Sequence, residues 1–106
     1  MVFIETDFFK EDIDKFLTQE EFGEFQEFLA NNPKAGPVIP GTGGVRKVRW
    51  AVGNKGKSGG LRVIYYYVMA ASQIRFLLVY RKGIKDTLSD REKSVLKKLI
   101  EAWSDG

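Results

Sequence analysis

Between Gly53 and Ser58 the chain reads GNKGKS, and Gly-Lys-Ser is how a phosphate-binding loop of the form G-x-x-x-x-G-K-[ST] ends. That loop needs a glycine five positions before Gly56, where this chain has Ala51, and a helix to follow, where this chain has LRVIYYYV. A run so rich in β-branched and aromatic residues reads as a strand and offers an anion no helix N-terminus. The lysines and glycines of this segment therefore need another partner. Other chemistry is excluded by composition: with no histidine and no cysteine there is no Ser-His-Asp triad, no H-E-x-x-H zinc site, no thiolate metal site and no disulfide. Any catalysis must use Lys, Arg, Tyr, Asp or Glu.

The charges are segregated along the chain. Residues 1–27 hold nine acids against Lys10 and Lys15, whereas residues 28–85 hold eleven basic residues and no acid, so the net charge of +3 conceals a strongly positive middle. A basic stretch without neutralising neighbours attracts polyanions, and Trp50 with Tyr65, Tyr66 and Tyr67 adds aromatic faces suited to nucleic-acid bases. A solvated basic face is the plainer alternative.

Periodicity places these residues on elements. VFIET reads as an opening strand. Phe9, Ile13, Phe16 and Leu17 recur at helical spacing, and Thr18 with Glu21 makes a capping box ahead of Phe22, Phe25, Phe28 and Leu29. NNPKAGP ends this pair of helices, and PKAGPVIPGTGG is a loop. VRKVRWAV then alternates, with Val48, Trp50 and Val52 on one face and Lys47 and Arg49 on the other, so one face is wet and positive. LRVIYYYVM and IRFLLVY follow as strands, the latter apolar on both faces like a central strand. Ser89 and Glu92 form a second capping box before a terminal helix whose apolar stripe is Val95, Leu96, Leu99, Ile100 and Trp103. The expected order is β-α-α-β-β-β-α, an α+β fold in one domain spanning residues 1–106, with helices packed on an antiparallel-rich sheet. No apolar run is long enough to span a bilayer, and the acidic N-terminus does not look like a secretory signal, so the expectation is a cytoplasmic protein.

GTGGVRKVR, GKSGGLRVIYY and the Tyr80-Arg81-Lys82 end of the last strand resemble the RelE/ParE superfamily of bacterial type II toxins, and most of all its HigB branch. The resemblance implies a RelE-like fold, a ribosome-dependent endonuclease that cuts messenger RNA in the ribosomal A site without a metal or other cofactor, and silencing by a cognate helix-turn-helix antitoxin. It assigns catalysis to Arg62, Tyr80, Lys82 and Lys57, and RNA binding to Arg46, Lys47, Arg49, Lys55 and Arg81. Arg62 suits a phosphate, because its planar fork binds two oxygens and stays charged. Lys57 and Lys82 suit proton transfer, and Tyr80 suits base stacking or proton transfer. On residues alone, Tyr80 equally fits a packed aromatic and Lys57 a solvated charge in a glycine turn. Ser58, Leu61 and Ile84 depart from the family pattern, the first two at places where RNA affinity could be tuned. Two other readings stay open: a ParE-type inhibitor of DNA gyrase without nuclease activity, and a non-catalytic RNA-binding module.

Overall fold

The computed structural model describes residues 1–51, 60–83 and 88–104. Strand β1 (Val2–Glu5) leads into helices α1 (Asp7–Phe16) and α2 (Gln19–Asn31). Strands β2 (Arg46–Trp50), β3 (Leu61–Val68) and β4 (Gln73–Arg81) follow, and helix α3 (Asp90–Ser104) closes the chain. The fold is α+β, in the expected order. Lys55 and Lys57, with the whole of 52–59, lie outside the described residues, as do Val52, Ser58 and Ile84.

Local chemistry sets the helix boundaries. Thr6, read above as the end of the first strand, instead caps α1: its Oγ1 accepts from the Phe9 amide at 3.1 Å and donates to the Leu77 carbonyl at 2.9 Å. A side chain that satisfies an orphan helix donor and a β4 acceptor together starts the helix two residues before its first apolar position. Both capping boxes form. Thr18 and Glu21 exchange bonds of 2.8 and 3.1 Å, and Ser89 and Glu92 do the same at 2.8 and 3.1 Å.

The sheet order is β1-β4-β3-β2. β2, β3 and β4 form the expected antiparallel meander, while β1 runs parallel to β4, a pairing that no local pattern announces. The α1/α2 face buries Phe9, Ile13, Phe25, Leu29, Leu61, Val63, Tyr65, Ile74 and Phe76. Phe76 is its hub, with the rings of Phe3, Phe9, Phe22 and Phe25 at 4.7 to 5.9 Å. The other face receives α3 through Ile64, Leu77, Leu96 and Ile100. Val95, assigned above to the apolar stripe of α3, is 59% exposed. The stripe needs only one narrow side of α3, and Leu96, Leu99, Ile100 and Trp103 already fill it.

One irregularity controls which residues share a face. The β3–β4 register pairs Ile64 with Leu78 and Tyr65 with Phe76, so Leu77 is an extra residue in β4. Leu77 and Leu78 both join the α3-side cluster, and alternation resumes in the opposite phase. Strict alternation from Phe76 would have placed Tyr80 beneath α1 and α2. With the bulge, Tyr80 shares the face of Arg62.

The segment after α2 is clamped against β2 and β3. The Tyr65 hydroxyl donates to the Pro33 carbonyl at 2.9 Å and accepts from the Gly36 amide at 3.1 Å. A Cβ on Gly36 would stand 2.6 Å from the Lys47 carbonyl oxygen, so only glycine permits this approach. Removing the hydroxyl strands two backbone groups, so Tyr65→Phe is expected to lower stability by about 1–2 kcal/mol, read from the urea midpoint. Burial pushes the Tyr65 pKa above its ordinary 10.0, although the Gly36 bond and the Arg46 charge pull the other way. The folded chain therefore keeps this proton after the unfolded chain has lost it. The advantage of the wild type over Tyr65→Phe should be constant below pH 10 and shrink above it.

Candidate functional site

Three strands contribute to one row. Arg49 on β2 stands opposite Arg62 on β3, and Arg62 stands opposite Tyr80 on β4. Residues directly opposite on one face have Cβ atoms about 5 Å apart, so the three side chains leave the sheet side by side. The next row, Lys47, Ile64 and Leu78, begins the part of this face that α3 covers. The first row therefore lies at the edge of that cover. Its members differ in exposure: Arg49 is exposed, Tyr80 is half-buried, and Arg62 is only 9% exposed.

The burial of Arg62 is unusual because nothing described neutralises it. Its one hydrogen bond among the described residues is from Nη1 to the neighbouring Leu61 carbonyl at 3.5 Å, which is long and weak. No described carboxylate pairs with Arg62, Arg49 or Lys47; the ion pair between described residues is Lys15–Asp12, on α1. Like charges directly opposite destabilise a sheet, so the Arg49–Arg62 pair costs stability unless an anion lies between them. Gly60 leaves the approach open, since a Cβ there would rest 3.5 Å from Arg62 Nη1. Arg62 and Arg49 so placed could take a phosphate-like anion between them, with the Tyr80 ring in the same row.

Lys82 extends the site by one step. Its amide donates to the Gly60 carbonyl at 2.9 Å, which continues the β3–β4 ladder past the Leu61–Arg81 pair. Alternation puts it on the Arg62 side of the sheet, with an exposed side chain.

Other residues singled out in the sequence stand elsewhere. Arg46 is on the α1/α2 face, where Nη1 donates to the Gly36 carbonyl at 2.8 Å and the Lys34 carbonyl at 3.4 Å, holding the loop that follows α2. Arg81 is on that same face, its guanidinium 5.5 Å from the centre of the Phe16 ring. Neither joins the row. The aromatics that suggested a base-stacking surface are mostly core. Trp50 packs on Phe25 and Phe28 at 5.0 and 5.3 Å, Tyr65 is fully buried, and Tyr66 and Tyr67 pack against the two clusters. Leu61 is a core residue of the helix face, which accounts for a leucine there without any contact to RNA. Not singled out in the sequence was Lys93 of α3, which lines the same recess as Lys47. Its only signal was an i, i+4 pair with Lys97 in a tail of nearly balanced charge.

The whole molecule is electrically two-sided. α1 and α2 carry eight of the fourteen acids and pack on the face opposite Arg62, so a polyanion is repelled from one side and drawn to the other. Among the described residues no group of three or more potential metal ligands occurs, and no helix is long and apolar enough to cross a membrane.

The family described as RelE toxin of the RelE/RelB toxin–antitoxin system matches residues 40–105. The matched span runs from β2 through α3 and holds Lys47, Arg49, Arg62, Tyr80 and Lys82. A row of arginines without a described counter-ion, beside a tyrosine and carried on this meander, is thus found in the part of the chain that makes the match, and the chain belongs to the RelE toxin family of toxin–antitoxin systems.

Proposed function

We propose that this toxin is an endoribonuclease that enters the ribosomal A site and cuts messages during translation, and that a helix-turn-helix antitoxin silences it. The observation that carries the reading is Arg62, a nearly buried guanidinium without a described counter-ion, flanked in one row by Arg49 and Tyr80. A passive docking surface has no use for a buried charge, because exposed lysines bind phosphates without the cost of desolvation. A site that must stabilise charge developing on one phosphate does.

The reaction proposed is transfer to the ribose 2′-oxygen. That oxygen attacks the scissile phosphorus, a new O–P bond forms, and the bond from phosphorus to the 5′-oxygen breaks, leaving a 2′,3′-cyclic phosphate and a free 5′-hydroxyl. One proton leaves the 2′-hydroxyl and one reaches the 5′-oxygen. Lys82, Tyr80 and Lys57 are the groups assigned to those proton transfers and to holding the reacting nucleotide. Arg62 is assigned to the crowded phosphate and Arg49 to docking, with Lys47 and Lys55 on the flanking chain. No step calls for a metal ion.

Two outcomes test this. Replacing Arg62 by methionine keeps an unbranched apolar side chain at the site and removes the charge. Single-turnover cleavage on programmed ribosomes at saturating toxin should then fall by about a hundred- to a thousandfold, while Lys55→Ala should regain the wild-type rate once saturated. The thermal midpoint of Arg62→Met should hold or rise, since removing a buried charge that has no counter-ion among the described residues relieves the fold. Wild-type cleavage by Arg62→Met at saturation would reduce Arg62 to a docking residue. The second outcome concerns metals: single-turnover cleavage on programmed ribosomes should be unchanged by a chelator selective for transition metals, with magnesium held at the level that keeps the ribosome intact. Loss of cleavage restored by a divalent cation would overturn the metal-free chemistry.

A further inference from the structure

Beside Lys47, on the α3 side of the sheet, a recess of about 290 Å³ is lined by Pro37, Val38, Ile39, Pro40, Lys47, Leu88 and Lys93. We propose that it is a subsite for the nucleotide adjoining the scissile phosphate, with the flanking base against the proline wall and the adjoining phosphate on Lys47 and Lys93. The inference rests on the RNA-cleavage reading and extends it from the reacting phosphate to its neighbour.

Four observations converge on this. The recess is at the small end of ligand clefts, which suits one base and little more. Its wall is apolar and partly open, with Val38 46% exposed, while among the described residues no carboxylate lines it and no acid pairs with Lys47 or Lys93. That combination matches a flat apolar ring joined to an anion. The position is also right. Lys47 is two residues from Arg49 on the same face of β2, about 7 Å along the strand, the scale of a single nucleotide step from the Arg49–Arg62 row.

Finally, the wall is built before anything binds. The Lys47 amide donates to the Pro37 carbonyl at 3.1 Å and the Ile39 amide to the Val45 carbonyl at 2.7 Å. The buried Thr42 hydroxyl donates to the Ile39 carbonyl at 2.6 Å and accepts from the Val45 amide at 3.1 Å. Gly41, at φ 80°, turns the strap so that the stem of Lys93 would lie 3.9 Å from a Cβ there. A rigid wall and two cations on separate elements lower the ordering cost of holding a nucleotide.

The test is binding, measured apart from cleavage. Full-length toxin carrying Arg62→Ala is titrated with a short single-stranded RNA by fluorescence anisotropy over a range of salt, alone and with Lys93→Ala or Lys98→Ala added. Lys98 is exposed on α3 and does not line the recess. Lys93→Ala should weaken binding several-fold and reduce the log–log salt slope by about 0.7, the share of one phosphate, whereas Lys98→Ala should change neither. Abasic residues placed one position at a time should reveal a single position whose missing base weakens binding several-fold. An unchanged slope in Lys93→Ala, equal binding of every abasic RNA, or a matching loss in Lys98→Ala would overturn the subsite. Cleavage on programmed ribosomes by the toxin with Arg62 intact, run in parallel, separates the two ideas. If it cuts nothing yet binding still depends on Lys93 and on one base, the nuclease reading falls and the nucleotide site stands. If it cuts and Lys93 is indifferent, only the subsite falls.

Discussion

A guanidinium that is nearly buried, with no counter-ion among the described residues, must be held in place by the scaffold around it, and the organisation of this protein follows from that requirement. Arg62 sits mid-sheet on β3, flanked by β2 and β4, so its backbone cannot shift away from the charge it carries. Arg49 opposite adds repulsion. Such an arrangement persists only when the surrounding packing is strong enough to outweigh it. The cluster of phenylalanines about Phe76 supplies that packing on the reverse of the same sheet. Stability is concentrated on one face and chemistry on the other.

α3 divides the chemical face. Where it covers the sheet, Ile64, Leu77, Leu96 and Ile100 make a second core, and where its cover ends the row of Arg49, Arg62 and Tyr80 begins. The helix also brings Lys93 toward the segment after α2, which is tied to the outer edge of β2 by the bridge between Val38 and Arg46. That pairing protects an edge that would otherwise invite another strand. Residues that look like loop in the sequence are therefore part of the sheet's border, and Arg46 and Tyr65 serve that border by holding it from beneath.

Charge is arranged with the same economy. Acids crowd α1 and α2, while Lys47, Arg49 and Arg62, which have no described counter-ion, stand on the other face of the sheet. The resulting field orients the protein toward a polyanion before any contact forms.

Much of this was legible in the sequence, because it depends on local rules. Helical and alternating periods identified the elements and their order, two capping boxes marked helix starts, and the acid-free stretch marked the charged face. Arg62 stood out as a charged residue at the head of an apolar strand. Membership of the RelE toxin family was written in the motifs of the second half of the chain. Other features could not be read there, since they arise from contacts between distant residues. The parallel pairing of β1 with β4 joins residues 71 positions apart, as in Val2 with Gln73. The aromatics near the basic residues looked like a stacking surface until packing placed Tyr65 in the core and Trp50 against Phe25 and Phe28. Above all, IRFLLVY is apolar throughout, so its sequence carries no phase. Only the bulge at Leu77, which lets β4 serve two cores at once, decides that Tyr80 stands beside Arg62 while Arg81 lies over Phe16 on the other face.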